Sequence, residues 1–381
     1  MKLNTNNHCD LCFSKLKNPY KPINSKRHIL TFQCEKCSLL QSISQKKFRS
    51  NPPPSMSFDA DRSSIMYTKV IALPRYIKLF KKFNINFSKF RHVLDIGSNR
   101  GDFTNFILKK NKSAKISAVE SKKTLFKKYK KNNRVEYFNL RYENFNTKKK
   151  YDFIYNIHTL EHLQSCLIAL KKMKSQLNKY GIIFLAVPNT NPIDQNFFEE
   201  IFIDPHTFHF TNNVIIKYFN LVGLKILKKN IKGSELQYLL KKEKNPNNNK
   251  HKNNIKTYFE KKNSLLKYEK QIASNRRNLR IKSKKIMTLI KQDTKIVFWG
   301  AGRIFDALVK IGEIKPSINI RLVDKVLNKF FKHLHGFKLI KPSDLNKSEK
   351  NTTLVVCSRE YKMEIIKEAE KYKFNKIIKL A

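Results

Sequence analysis

Two pairs of cysteines, Cys9-x2-Cys12 and Cys34-x2-Cys37, are separated by 21 intervening residues. Such knuckles fold together only around something that bridges them, and four thiolates suit tetrahedral Zn2+. Four sulfurs fill the coordination sphere, so the expected zinc is structural. Disulfides or free thiols are the alternatives. Cys166 and Cys357 sit in apolar stretches and read as core thiols. A second pattern is Asp95-Ile-Gly97-Ser-Asn-Arg-Gly101, at an expected strand-to-helix turn where two glycines let the backbone approach a ligand. Glu120 follows 25 residues after Asp95, at the end of the next expected strand. A carboxylate there can accept hydrogen bonds from both hydroxyls of a ribose. A third set is histidine: His206-Thr-Phe-His209, in a loop after the expected strand ending at Val187-Pro188. Imidazole titrates near pH ~6.5, which suits a general base at neutral pH.

A nicotinamide-dinucleotide turn would read G-x-G-x-x-G. Here the glycines are four apart, and no helix N-terminus is aimed at a diphosphate. The pattern fits S-adenosylmethionine, which has no phosphate to cradle. Methyl transfer from its sulfonium is an in-line displacement that requires an aligned nucleophile and the loss of one proton.

The elements that must position these groups follow from periodicity. Residues 1–50 hold the cysteines. Residues 60–90 read as helical, with Ile65, Met66, Val70, Leu73, Ile77 and Phe80 on one face and Pro74 as a kink, after a linker at Asn51-Pro-Pro-Pro54. Strands are expected at His92–Ile96, Ile116–Val119, Tyr151–Tyr155 and Ile182–Val187. A helix carrying Leu160, Leu163, Leu167, Leu170, Met173 and Leu177 is expected to close at Gly181. A helix over 213–221 and strands at Lys225–Lys229 and Leu236–Leu240, joined at Gly233-Ser234, complete a mainly parallel sheet with one antiparallel strand. Lys241–Asn254 is of low complexity and reads as a linker. Charged helices are expected over Tyr258–Lys291. A second βα series begins at Lys295–Trp299, with Gly300-Ala-Gly302-Arg303, strands Ile320–Val323 and Thr353–Cys357, and Asp324 at a strand end. The expected domains are therefore 1–50, 60–240, a basic connection over 241–294, and 295–381.

Together these residues resemble the nucleotide-sugar C-methyltransferases. The resemblance rests on the Asp-Ile-Gly-Ser-Asn-x-Gly turn behind a four-Cys module ending Cys37-Ser-Leu-Leu-Gln41. It extends to Tyr151-Asp-Phe-Ile154, His158-Thr-Leu-Glu-His162, Val187-Pro-Asn189 and Val297-Phe-Trp-Gly-Ala-Gly302. It implies an α/β fold: a class I S-adenosylmethionine-dependent methyltransferase sheet of Rossmann-like type, an N-terminal zinc ribbon and a second, C-terminal Rossmann-like domain. It also implies a nucleotide-linked sugar or related glycan precursor as substrate. On this resemblance Asp95, Gly97, Ser98, Asn99, Gly101 and Glu120 line the cofactor. His158 and Glu161 lie by the sulfonium, and His206, His209 and His162 are the catalytic candidates. The chain departs from the family at two places: Ile203 stands at the family's Tyr position and Pro205 at its Glu position. That brings hydroxyl or amine methylation into competition with methylation at carbon. In the C-terminal domain a helix N-terminus and Arg303 could meet a diphosphate.

Composition narrows the rest. Lys and Arg number 79 against 29 Asp and Glu among 381 residues, a formal charge of +50 that attracts polyanions. The charge is mostly Lys, scattered through every segment beside much Asn and Ile, as coding bias would also produce. A nucleic-acid methyltransferase is the alternative function, but the strand end Tyr155-Asn-Ile-His158 lacks the Asn- or Asp-Pro-Pro-aromatic motif of exocyclic-amine methylation. A non-catalytic binding protein of the same fold is the other. No apolar run approaches the ~20 residues of a membrane span. With no leader-like start and paired thiols, a cytoplasmic setting is expected.

Overall fold

The computed structural model describes residues 7–23, 25, 28–45, 72–123, 132–191, 196–203, 206–231, 233–243, 257–292, 294–329 and 331–380. The linker at 51–54, the Ile65, Met66 and Val70 face, Pro205 and most of the 241–254 stretch lie outside them. The chain divides into two compact units. The first holds residues 1–55, 64–191 and 202–265; the second holds 56–63, 192–201 and 266–381.

The first unit opens with a hairpin, β1 (Ile29–Gln33) and β2 (Leu40–Ser44), paired antiparallel. Helix α1 (Leu73–Lys82) follows. Pro74 sits in its first turn, where a missing N–H breaks no intrahelical bond, so it does not kink the helix. The main sheet is built from β3 (His92–Ile96), β4 (Lys115–Val119), β5 (Val135–Phe138), β6 (Tyr151–Ile157), β7 (Leu177–Pro188), β9 (Leu224–Asn230) and β10 (Glu235–Lys242), with α2 (Asp102–Lys110), α3 (Cys166–Gln176) and α4 (Asn212–Val222) between strands. Its order is β5-β4-β3-β6-β7-β10-β9, and β10 alone runs antiparallel to its neighbours. Alternate residues serve opposite faces of each strand. Leu94, Ile154 and Leu185 join one core with α3 and α4; Val93, Phe153 and Phe184 join the other with α1 and α2. Both faces are covered, which is why these strands read as unbroken apolar runs.

One boundary differs from expectation. The helix predicted to run from Leu160 to Gly181 occupies only Cys166–Gln176, and β7 begins at Leu177. Leu160–His162 is a separate 3-10 turn. The Ser165 side chain accepts the Ile168 N–H and starts the helix afresh, which the leucine spacing alone does not reveal. Gly181 lies inside β7, where a Cβ would sit 2.7 Å from the Tyr151 carbonyl oxygen. The two-residue strand β8 (Phe208–His209) leaves the main sheet and extends the hairpin, pairing with β2.

The second unit contains most of helix α5 (Ser264–Lys291), then β11 (Lys295–Trp299), α6 (Arg303–Lys310), β12 (Ile320–Val323), β13 (His333–Leu334), β14 (Phe337–Ile340), β15 (Thr352–Val356), α7 (Lys362–Ala369) and β16 (Lys376–Lys379). Its sheet order is β13-β14-β12-β11-β15-β16, and all but β13 run parallel. Among the described residues no helix is long and apolar enough to cross a membrane.

Candidate active site

The turn after β3 is held open by three left-handed residues, Gly97 and Gly101 at φ +76° and Asn99 at +49°. A Cβ on Gly97 would fall 2.0 Å from Thr159 Oγ1, so no other residue fits there. The N–H groups of Gly97 and Ser98 both donate to the Val119 carbonyl at the end of β4. Glu120, the next residue, faces this turn: one carboxylate oxygen accepts the Asn99 N–H at 2.9 Å, the other the Lys122 N–H at 2.8 Å. Glycine turn and acidic strand end therefore form one structure, as sequence spacing predicts. Asp95 is turned inward instead. It is 3% exposed, and its carboxylate accepts from Thr104 Oγ1 at 2.6 Å and from the Tyr155 hydroxyl. Burial raises its pKa to about 7 against the pull of those two bonds. It ties β3 to α2 and β6, beneath the turn.

At the neighbouring strand end, β6 stops at Ile157 and His158 takes a left-handed backbone, φ +50°. Asn156 Oδ1 accepts the Leu160 N–H and shapes the turn that carries Glu161 and His162. His158 lies between two carboxylates. Its Nε2 is 2.9 Å from Glu235 Oε1 and its Nδ1 is 3.5 Å from Glu161 Oε1. Burial disfavours charge on this imidazole, but the two carboxylates overrule it and lift its pKa to about 10. Burial likewise works against ionised Glu161, yet His158, His162 and His206 hold its carboxyl at about 2. Glu235, the first residue of β10, is also pulled below the usual carboxylate range by His158, Arg75 and Tyr76 against its own burial. It pairs with Arg75, accepts from the Tyr76 hydroxyl at 3.0 Å and takes a 2.6 Å bond from Gln237. Arg75, Tyr76 and Glu235 were not legible as site residues. The only signal was an acidic residue opening the apolar strand Leu236–Leu240.

The histidine loop is fixed from two sides. Thr207 N–H donates to the Glu161 carbonyl, and Ser42 N–H donates to the Thr207 carbonyl, both at 2.8 Å. These bonds bring His206 to His162, with ring centroids 4.8 Å apart. His206 N–H donates to the Ile203 carbonyl, so the departing Ile203 lies in the same turn. His209 goes elsewhere. It is 3% exposed, opposite Leu40 in the β2–β8 pairing, with Nε2 2.7 Å from Ser42 Oγ. Burial first, and the neighbouring His206, push its pKa well below the ordinary imidazole value.

The four cysteines cluster as expected. All four Sγ atoms lie within 4.8 Å of one another, Cys9 3.3 Å from Cys37 and Cys12 3.4 Å from Cys34. Zn–S bonds of ~2.3 Å in a tetrahedron put sulfurs ~3.8 Å apart, so the set fits Zn2+ with a slight expansion. Asp10, inside the first knuckle, accepts from the Leu167 N–H at 3.1 Å and the Tyr218 hydroxyl at 2.9 Å. Lys217 Nζ donates to the Cys37 carbonyl at 2.9 Å. The cysteine module is thereby fastened to α3 and α4 as well as to the histidine loop.

In the second unit, Gly300 has φ +104° and a Cβ there would crowd the Cys357 carbonyl at 3.0 Å. Asp324 is engaged by its own loop: its carboxylate accepts the N–H groups of Ala301, Val326 and Leu327. Arg303 donates to the Glu200 carbonyl. The expected diphosphate contact thus competes with a bond already made.

Residues 58–229 match the family model of a methyltransferase domain. Among solved structures, a S-adenosylmethionine-dependent methyltransferase from Clostridium acetobutylicum is 15% identical, with 48% of this chain and 98% of that chain covered and a TM-score of 0.37. The 1,6-didemethyltoxoflavin-N1-methyltransferase of Burkholderia thailandensis, holding S-adenosylhomocysteine, is 14% identical over 60% of this chain and 100% of its own, at 0.38. The plantazolicin methyltransferase BpumL, also with S-adenosylhomocysteine, is 14% identical over 49% and 91%, at 0.40. Scores at this level add nothing to what the sheet order shows. No curated protein matches the chain. The matched segment spans less than half of the chain, falls on the Rossmann-like sheet expected from the sequence, and supports methyltransferase as the enzyme class.

Proposed function

We propose that the chain transfers the methyl group of S-adenosylmethionine to a nucleotide-linked sugar or related glycan precursor, at oxygen or at carbon. One observation carries the reading of the donor. Glu120 closes onto the Asn99 N–H, and the same glycine turn packs against Thr159, next to His158. A ribose held by Glu120 therefore places its sulfonium toward the end of β6, where His158, Glu161, His162 and His206 collect. When bound, S-adenosylmethionine supplies an already activated methyl group. The chain's own residues then have two tasks. Glu120, Ser98, Asn99 and the two glycines hold the donor; the Glu161–His162–His206 group promotes loss of the acceptor's proton. His158, kept cationic between Glu161 and Glu235, orients Glu161. His209 is assigned to the β2–β8 seam, away from the proton transfer. The nucleotide-sugar reading rests on the resemblance of the cysteine module and both Rossmann-like domains to that family. The cysteine module holds Zn2+ in a structural role.

The test is calorimetry with S-adenosylmethionine, followed by transfer of its labelled methyl group to a panel of nucleotide-sugars. Glu120→Ala should weaken donor binding by at least about tenfold, equivalent to ~1.4 kcal/mol. Unchanged binding in that variant would remove the donor assignment. Donor binding with no label in any nucleotide-sugar, but label in another small acceptor, would replace the substrate class.

A further inference from the structure

We infer that Glu161, His162 and His206 form a second metal site, binding one divalent first-row cation beside the methyl-transfer centre. Glu161 Oε and one ring nitrogen from each histidine lie within 4.8 Å of one another. Three ligands ~2.1 Å from one cation stand ~3.0–3.6 Å apart, so closure needs the side chains to move inward by up to roughly an ångström. Both imidazoles are half-buried. The decisive group is Glu161. It is 1% exposed, and among the described residues its carboxylate has only the long His158 contact and no hydrogen bond of ordinary geometry. Its nearest cationic neighbours are His158 Nδ1 at 3.5 Å and His162 Nε2 at 3.9 Å. A buried carboxylate left with unfilled lone pairs is costly, and a cation between it and the two imidazoles satisfies them.

The donor set is two imidazoles and one carboxylate, a combination that suits Mn2+, Fe2+, Co2+ or Zn2+ and leaves coordination positions open. The backbone keeps the three together: the Thr207 N–H bond to the Glu161 carbonyl joins the two loops immediately beside the ligands. His158 is the outer group that orients Glu161, as metal-bound carboxylates require. The role follows from the methyltransferase reading, on which it rests. The cation's open positions take oxygens of the acceptor and acidify a hydroxyl. That hydroxyl gives its proton to water, and its oxygen bonds to the methyl carbon. The carbon–sulfur bond breaks with its electron pair left on sulfur.

The experiment titrates Mn2+ into full-length protein holding one equivalent of Zn2+ per chain, enough for the four thiolates alone, and follows the loss of the free-ion paramagnetic resonance signal. Mn2+ prefers nitrogen and oxygen donors and leaves the four thiolates to Zn2+. The expected result is one bound Mn2+ per chain, with affinity at least about tenfold weaker in Glu161→Gln and in His206→Asn. No binding at millimolar Mn2+, or equal binding in both variants, overturns the inference. Should Glu161→Gln fail to fold by circular dichroism, His206→Asn decides, since its side chain is half-buried in a loop. Calorimetry with S-adenosylmethionine on the same samples separates the two readings. Donor binding without Mn2+ binding sinks the metal site and spares the methyltransferase assignment; Mn2+ binding without donor binding does the reverse.

Discussion

Replacing Ser42 by Ala tests whether the cysteine module positions the histidine loop. Ser42 Oγ sits 2.7 Å from His209 Nε2 and 2.8 Å from Thr31 Oγ1. All three residues are at most 4% exposed, so water cannot replace the missing hydroxyl without opening the seam. Removing it strands two buried polar groups, each at ~1–3 kcal/mol. Allowing for local relaxation, the expected loss is about 2–4 kcal/mol of stability. The functional consequence is specific. The Ser42 backbone also receives the chain through its bond to Thr207, and Thr207 in turn bonds Glu161. Loosening the seam should move His206 relative to Glu161 and lower kcat, while the Glu120 cradle, on the far side of β3, keeps its affinity for the donor. The assays are urea unfolding, steady-state methyl transfer and calorimetry with S-adenosylmethionine. A Ser42→Ala protein with unchanged stability and unchanged kcat would refute the claim that β8 is held by this hydroxyl. A protein that loses donor affinity in step with kcat would show that the loop is not the part affected.

Three further outcomes follow. Removing zinc with a chelator should likewise lower kcat more than donor affinity, because the hydrogen bonds of the cysteine module run to α3, α4 and β8; equal loss of both would contradict it. Gly97→Ala should abolish donor binding and cost at least ~2 kcal/mol of stability, since its Cβ meets Thr159 and its φ is +76°; wild-type unfolding in this variant would refute the packing. Asp95 gives a pH signature. Its folded pKa of about 7 exceeds the unfolded value of 3.8, so the folded state holds the extra proton between those values. Stability contributed by this group is intact below pH ~4, falls as pH rises to ~7, and is constant above, a loss of about 4 kcal/mol. Asp95→Asn should remove that slope, so its stability relative to the native protein rises between pH 5 and pH 8; a parallel pair of curves would show that Asp95 is ionised at no cost.

Much of this was legible before the chain was folded, for identifiable reasons. Two-residue cysteine spacing constrains geometry locally, so the four-sulfur cluster follows from sequence. Gly97, Gly101 and Glu120 sit at the ends of adjacent parallel strands, and apolar runs mark those strands because both faces of the sheet are buried. The break at Ser165, which splits one leucine-spaced segment into a turn and a helix, needed the Asn156 and Ser165 caps to be seen in place. The strands β14 and β16 were missed because short, lysine-bearing segments such as Lys376–Lys379 carry no strong period.

What the sequence determined by itself is therefore the set of local devices: the cysteine knuckles, the glycine turn, the acidic strand end and the alternation that builds each sheet. Only the tertiary structure decided which histidines meet. His206 and His209 lie three residues apart, yet a two-residue strand paired to β2 buries one against Ser42 and leaves the other beside His162. Glu235 reaches His158 from 77 residues away in sequence, and Arg75 reaches Glu235 from 160. Contacts of that range depend on how strands are ordered in the sheet, and no local spacing encodes the order.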